Sequence, residues 1–196
     1  MSMRFRRSRL LEGSVDIEAV VANVPEAFTV KGMFFMRALT ILGDDYAPLK
    51  SKLRAPTERY LPFRNYPQAD HGRLVFHAAT KRAPRQSHWE ALRRFARHDV
   101  EDFAASMLGR VTLSMVGDPK KVLSLMPGVY DKVAPGPWGF AVHDDGNQVT
   151  VNINRITGPW SYQLGQIEGA IGFYHASAEV EVQPNEPGVR FIIRFD

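Results

Sequence analysis

The sequence predicts a single α+β domain, with an N-terminal helical layer packed on a four-stranded antiparallel sheet. Two observations carry this expectation. Apolar residues recur at helical spacing through Val133, then alternate with period two from Trp138 onward. Asp144-Asp145-Gly146-Asn147 and residues 184–188 are turn sequences, each set between two alternating runs. The two hairpins are separated by a helix, residues 161–172, that carries Gly165, Gly169 and Gly172 on one face. No linker or internal repeat divides the 196 residues. The reading is therefore a basic flexible tail, 1–12, and one domain, 13–196.

The elements follow in order. Residues 14–24 alternate loosely and read as a strand or an entry segment. In 29–42, Val30, Phe34 and Ala38 fall four apart, a helical pattern stopped by Gly43. Residues 47–53 read as a short helix ended by Pro56, and Pro62 and Pro67 break the chain before a helix over 68–80. Ser87 followed by Glu90 is a capping box. The apolar series from Trp89 to Met115 then predicts one helix of up to about thirty residues, weakened at Gly109 and Gly117. Asp118-Pro119 pairs an N-cap residue with proline at the first helical position, and Val122, Leu125, Met126, Val129 and Val133 make the apolar stripe that follows. Pro127 and Gly128 predict a kink or a 3₁₀ stretch in that helix. The strands alternate through Trp138, Phe140 and Val142, through Val149, Val151 and Ile153, through Ala178, Val180 and Val182, and through Val189, Phe191, Ile193 and Phe195.

Composition excludes several function classes. The chain has no cysteine, which removes disulfides, thiolate zinc sites, iron–sulfur clusters and thiol catalysis together. No apolar run approaches the ~20 residues of a membrane-spanning helix, and the basic start lacks the apolar stretch of a secretory signal. A cytoplasmic location with no membrane contact is the expectation. Arg4, Arg6, Arg7 and Arg9 precede the first acid, and the remaining 21 basic residues balance 21 acidic ones. The basic charge thus belongs to the tail, which reads either as a phosphate-contacting arm or as a solvated terminus. The body carries no nucleic-acid motif. The six histidines show no metal-ligand spacing, and neither a Gly-x-Ser-x-Gly elbow nor a P-loop exists. The expectation is a non-enzymatic protein with no metal site.

Two features point to binding. The glycine stripe lets another backbone approach closely, or leaves a bare face for a ligand. Met33-Phe34-Phe35-Met36 is too apolar for one stripe, so it is buried on several sides or lines a pocket or a dimer surface. Trp138, Phe140, Trp160 and Tyr162 flank the same region.

From Trp89 to Phe195 the chain resembles a set of paralogous myxobacterial proteins of unknown function. Trp89-Glu90-Ala91-Leu92-Arg93-Arg94-Phe95, Leu108-Gly109-Arg110, Asp118-Pro119, the Leu123 to Tyr130 segment and Tyr162-Gln163-Leu164-Gly165 carry the match. More distantly, the order of elements is similar to the heme nitric oxide/oxygen-binding domain and to the V4R and TRAPP-type domains. In the heme family this resemblance implies a proximal histidine before the first hairpin and a Tyr-x-Ser-x-Arg motif for the propionates. Here Tyr130 falls at the histidine's place, and Val151, Ile153 and Arg155 fall on the motif, so only the arginine is kept. No cofactor is expected, heme included. The resemblance implies a sensory or regulatory domain that binds a small, mostly apolar ligand between helices and sheet. The candidate residues are Met33, Phe34, Tyr130, Trp138, Arg155, Tyr162, Gly165 and Gly169. The alternatives are a TRAPP-like module for a homodimer or protein partner, and nucleotide or nucleic-acid contact through Arg4, Arg6, Arg7 and Arg9.

Overall fold

The computed structural model describes residues 4–5, 11–114 and 116–196. Four antiparallel strands form two hairpins: β4 (Phe140–Asp144) with β5 (Gln148–Ile153), and β6 (Ala178–Asn185) with β7 (Gly188–Phe195). The hairpins join where β5 pairs with β7, Val151 opposite Phe191. A two-residue strand, β1 (Arg4–Phe5), adds in parallel to β6, giving the order β1-β6-β7-β5-β4. Val149, Val151, Ile153, Phe191 and Ile193 are buried on one face. The other face is polar, with Arg190 donating to Asn152 at 2.7 Å and Arg194 to Glu181 at 3.2 Å. A sheet covered on one side only gives this alternation.

Arg4 and Phe5 are in register with Glu179 and Val180, and Leu11 is buried with its carbonyl accepting from the Ser87 hydroxyl. Arg6, Arg7 and Arg9 lie outside the described residues.

The helical layer departs from its sequence pattern in three places, each for a local reason. Residues 14–24 contain a helix, α1 (Ile17–Ala22), because Asp16 caps it by accepting from the Ala19 amide at 3.1 Å. Thr29–Lys31 form a strand, β2, paired antiparallel with β3 (Asn65–Pro67), so the expected helix starts late, as a 3₁₀ turn at Gly32–Phe34 followed by α2 (Phe35–Leu42). That pairing joins segments far apart in sequence and is invisible to periodicity. A short α3 (Tyr46–Leu49) and the long α4 (Gln68–Arg82) complete this half. The expected thirty-residue helix is two: α5 (His88–Ala105) and α6 (Met107–Ser114). Ser106 divides them with an extended ψ of 158°, and its hydroxyl accepts from the Gly109 amide at 3.0 Å. Then α7 (Pro119–Val133) runs unbroken through Pro127, capped by Asp118 accepting from the Lys120 amide at 2.9 Å.

The last helix, α8 (Ser161–Phe173), is largely buried and packs against α5 and α7. Leu164, Ile167 and Ile171 are fully buried. A Cβ on Gly165 would stand 2.1 Å from the Arg93 carbonyl oxygen, and one on Gly169 2.7 Å from that of Arg97. The backbone of α5 therefore rests directly on α8. Around Gly172 the space is open.

Candidate functional site

On α5, Leu92, Phe95, Asp99 and Phe103 follow one another at spacings of three and four, so an acid occupies the third position of an apolar stripe. The C-terminal part of the stripe, Asp99 and Phe103, faces a cavity of about 90 Å³. Val100 and Phe103 of α5, Leu113 of α6, Val122, Met126 and Val129 of α7, and Ala170 of α8 wall it, and Phe34 closes one end. The walls are helical throughout; the sheet does not line it. Polar groups reach it at Asp99, Tyr130 and Gln166, where the Tyr130 hydroxyl donates to the Gln166 side-chain oxygen.

Asp99 is buried. The Tyr162 hydroxyl donates to its Oδ2 at 2.6 Å, while Oδ1 stands 3.8 Å from Arg37 Nε. Arg37 lies over the Phe95 ring and pairs with Asp102 at 2.6 Å through Nη1, but its Nε has no hydrogen-bond partner. Burial pushes the Asp99 carboxyl from 3.8 up to about 7; Asp102 raises it further, against the Tyr162 hydrogen bond and the Arg37 charge. Burial also raises the Tyr130 and Tyr162 phenols, so both stay protonated.

Asp99, Phe34 and Phe103 also line an outer groove of about 410 Å³ that includes Met33, Arg37 and Arg82. The Phe34 and Phe103 rings stack at 6.2 Å between centroids. They form, with Asp99, the partition between groove and inner cavity.

A second, smaller cavity of about 40 Å³ lies on the far side of Tyr162. His71 Nε2, Gln68 Oε1 and Gln163 Oε1 line it, and none has a hydrogen-bond partner in the protein. Burial lowers the His71 imidazole from 6.5 to about 4, against a hydrogen bond to the Phe34 backbone, so the ring is neutral near pH 7.

The structure brings together only some of the residues that the sequence singles out. Phe34 and Tyr130 line the inner cavity and Met33 the outer groove. Tyr162 touches the site through Asp99. Trp138 belongs to the core instead: it is buried, its ring N–H donates to the Ala134 carbonyl at 2.6 Å, and Phe28 and Tyr130 meet it edge-on. Arg155 lies in a separate groove with Trp89, Trp160 and Pro187. Gly165 and Gly169 are not a cradle, because α5 already occupies that face. Asp99, Arg37 and Gln166 were not singled out. The acid in the Leu92–Phe103 stripe is the signal that finds Asp99.

The residues present do not fit a heme. A cavity of about 90 Å³ is far below the ~300–1,000 Å³ of pockets that hold a cofactor. No histidine lines it, and the Tyr130 phenol is protonated and bonded to Gln166. Among the described residues, no group of three or more His, Asp or Glu side chains is placed to hold a metal ion. Nor is any described helix long and apolar enough to cross a membrane.

Residues 24–190 match the family described as a protein of unknown function, DUF2378. None of the curated proteins matches this chain. Among solved structures the chain is similar to H-NOX proteins. One is the Fe(II) unliganded H-NOX protein from K. algicida, with TM-score 0.62 and 20% identity over 85% of this chain and 96% of that one. Another is the S. oneidensis H-NOX protein in its Fe(II)NO ligation state, with TM-score 0.63 and 14% identity over 85% and 99%. A third is an oxygen-binding H-NOX domain related to soluble guanylate cyclases, solved as its oxygen complex, with TM-score 0.59 and 17% identity over 84% and 92%. The fold is thus that of H-NOX domains.

Proposed function

The chain belongs to the DUF2378 family, and we propose that it is a non-enzymatic sensory or regulatory domain that binds a small, mostly apolar ligand among α5, α6, α7 and α8. The inner cavity carries this reading. Its walls are almost wholly apolar, so a ligand of matching size and polarity gains by leaving water for it. The H-NOX structures named for NO and oxygen states use this fold for small ligands, which supports a sensory role here with a different guest. Ala170→Leu fills the cavity and tests the proposal. The expected result is a raised Tm without ligand and loss of any Tm shift from small hydrocarbons and their derivatives. A wild-type protein that none of these compounds stabilises refutes it.

A second reading is a homodimer or partner module. Met107 and Val111 on α6 and Leu125 on α7 are exposed by 78%, 57% and 43%. Sedimentation that stays monomeric at millimolar concentration rules out the homodimer.

A further inference from the structure

The groove that holds Arg155 has a volume of about 810 Å³ and shares no residue with the inner cavity. It runs between α1, the segment from β5 to α8, and the β6–β7 turn. Val20, Val24, Pro159 and Pro187 give it apolar walls. The Trp89 and Trp160 rings also line it, 5.1 Å apart between centroids and tilted by 40°. Among the described residues neither indole N–H has a hydrogen-bond partner, and neither is sealed from solvent, although Trp160 is only 7% exposed. The exposed Arg155 guanidinium is likewise unbonded. Hydrogen-bond donors are therefore left over beside an apolar surface. The Ile156 amide donates to the Pro187 carbonyl at 2.9 Å, which keeps Arg155 and Glu186 in neighbouring segments where their charges offset. Asp16 remains as the unbalanced charge of the groove. Its Oδ1 accepts from the Ala19 amide at 3.1 Å, and the Val15 amide beside it donates to His88 Nδ1, next to Trp89.

We infer that this groove docks a proline-rich peptide in the polyproline II conformation, with a basic residue of the peptide at the Asp16 carboxylate. Proline has no backbone N–H, so such a segment presents carbonyl acceptors alone, and the two indole N–H groups and Arg155 are the donors that match them. Its rings lie against the tryptophans and prolines of the walls, and its conformation is formed before binding, so little ordering is needed. An ordinary extended peptide brings an N–H at every residue, for which the aromatic walls offer no acceptor. The unbalanced Asp16 selects a basic residue at the peptide's end over an acidic one.

The test titrates the ¹⁵N-labelled full chain and follows the ring N–H signals of its tryptophans by NMR. The probes are an arginine followed by six prolines, a glutamate followed by six prolines, an arginine followed by three Gly-Ser pairs, all blocked at both termini, and indole-3-acetate. Trp138 is the internal reference, because its ring N–H is bonded to the Ala134 carbonyl in the core. The arginine–proline peptide is expected to shift the Trp89 and Trp160 signals and leave Trp138 still. It is expected to bind about tenfold tighter than the Gly-Ser peptide and about threefold tighter than the glutamate–proline peptide. Asparagine caps a helix as well as aspartate does, so Asp16→Asn keeps α1 and removes the charge. That variant is expected to bind the arginine–proline peptide about threefold more weakly and the glutamate–proline peptide no more weakly. Equal binding of the arginine–proline and Gly-Ser peptides overturns polyproline recognition. Tighter binding of indole-3-acetate overturns it in favour of a small aromatic anion. A glutamate–proline peptide that binds as tightly as the arginine one overturns the role of Asp16. Proline peptides that move neither Trp89 nor Trp160 overturn the docking site outright.

Discussion

Asp99→Asn removes a charge from the interior and keeps a side-chain oxygen for the Tyr162 hydroxyl. The wild-type carboxyl titrates at about 7 in the folded protein and at 3.8 ordinarily. Between those values the unfolded chain has released a proton that the folded protein still holds, so stability falls as pH rises through this window. The difference of roughly three pH units corresponds to about 4 kcal/mol. His71 acts in the opposite sense: its folded value is about 4 against 6.5, so its contribution of about 3 kcal/mol is present above 6.5 and lost as pH falls towards 4. The two slopes nearly cancel from pH 4 to 6.5 in the wild type. Asparagine unmasks the histidine, so the variant's stability rises steeply over that range. Its amide carries a desolvation cost of about 1–3 kcal/mol, the same at every pH. The variant is therefore expected to be less stable than wild type at pH 4 and more stable at pH 8, with a total swing of about 4 kcal/mol. Urea melts of both proteins at half-unit pH steps measure the swing. A difference that stays flat from pH 4 to 8 refutes the argument, because the carboxyl then titrates alike in both states.

The glycines of α8 give a paired test of packing. Gly165→Ala drives a Cβ to 2.1 Å from the Arg93 carbonyl oxygen and is expected to destabilise by about 1–3 kcal/mol in denaturant melts. Gly172→Ala meets open space and is expected to stabilise by about 0.5–1 kcal/mol, so a loss there contradicts the helix-propensity argument. Asp118→Ala removes the cap of α7, with an expected loss of about 1 kcal/mol.

How much was legible depended on the range of the interactions involved. The hairpins were readable because Asp144-Asp145-Gly146-Asn147 and the flanking alternation are local, and β4 and β5 pair across that turn. The starts of α5 and α7 were readable at Ser87 and Asp118 for the same reason. Of the Ser87 capping box, however, only half forms, since the Glu90 carboxylate turns to Arg93 and Arg94. The β2–β3 pair was hidden because its strands are three residues long and their partners lie far away in sequence. The site was partly hidden for a related reason. Asp99 was passed over as the neighbour of His98 on a helix, because its meaning comes from Tyr162, 63 residues downstream, and from Arg37 on another helix. Trp138 lies before the first hairpin and Tyr162 in the first turn of α8, and only the packing shows that one braces the core while the other holds a carboxyl.

The close seating of α5 on α8 has a mechanical consequence. With backbone against backbone at Gly165 and Gly169, those two helices form a frame that a small guest cannot spread. The opposite wall is different. There α6 follows the extended Ser106, Gly117 at φ 63° leads into α7, and α7 packs on β4 and α8. Met107 and Val111 stand exposed on α6, whereas Leu125 of α7 is half-exposed and lines the cavity, so a guest seated there meets this leaf at its solvent edge.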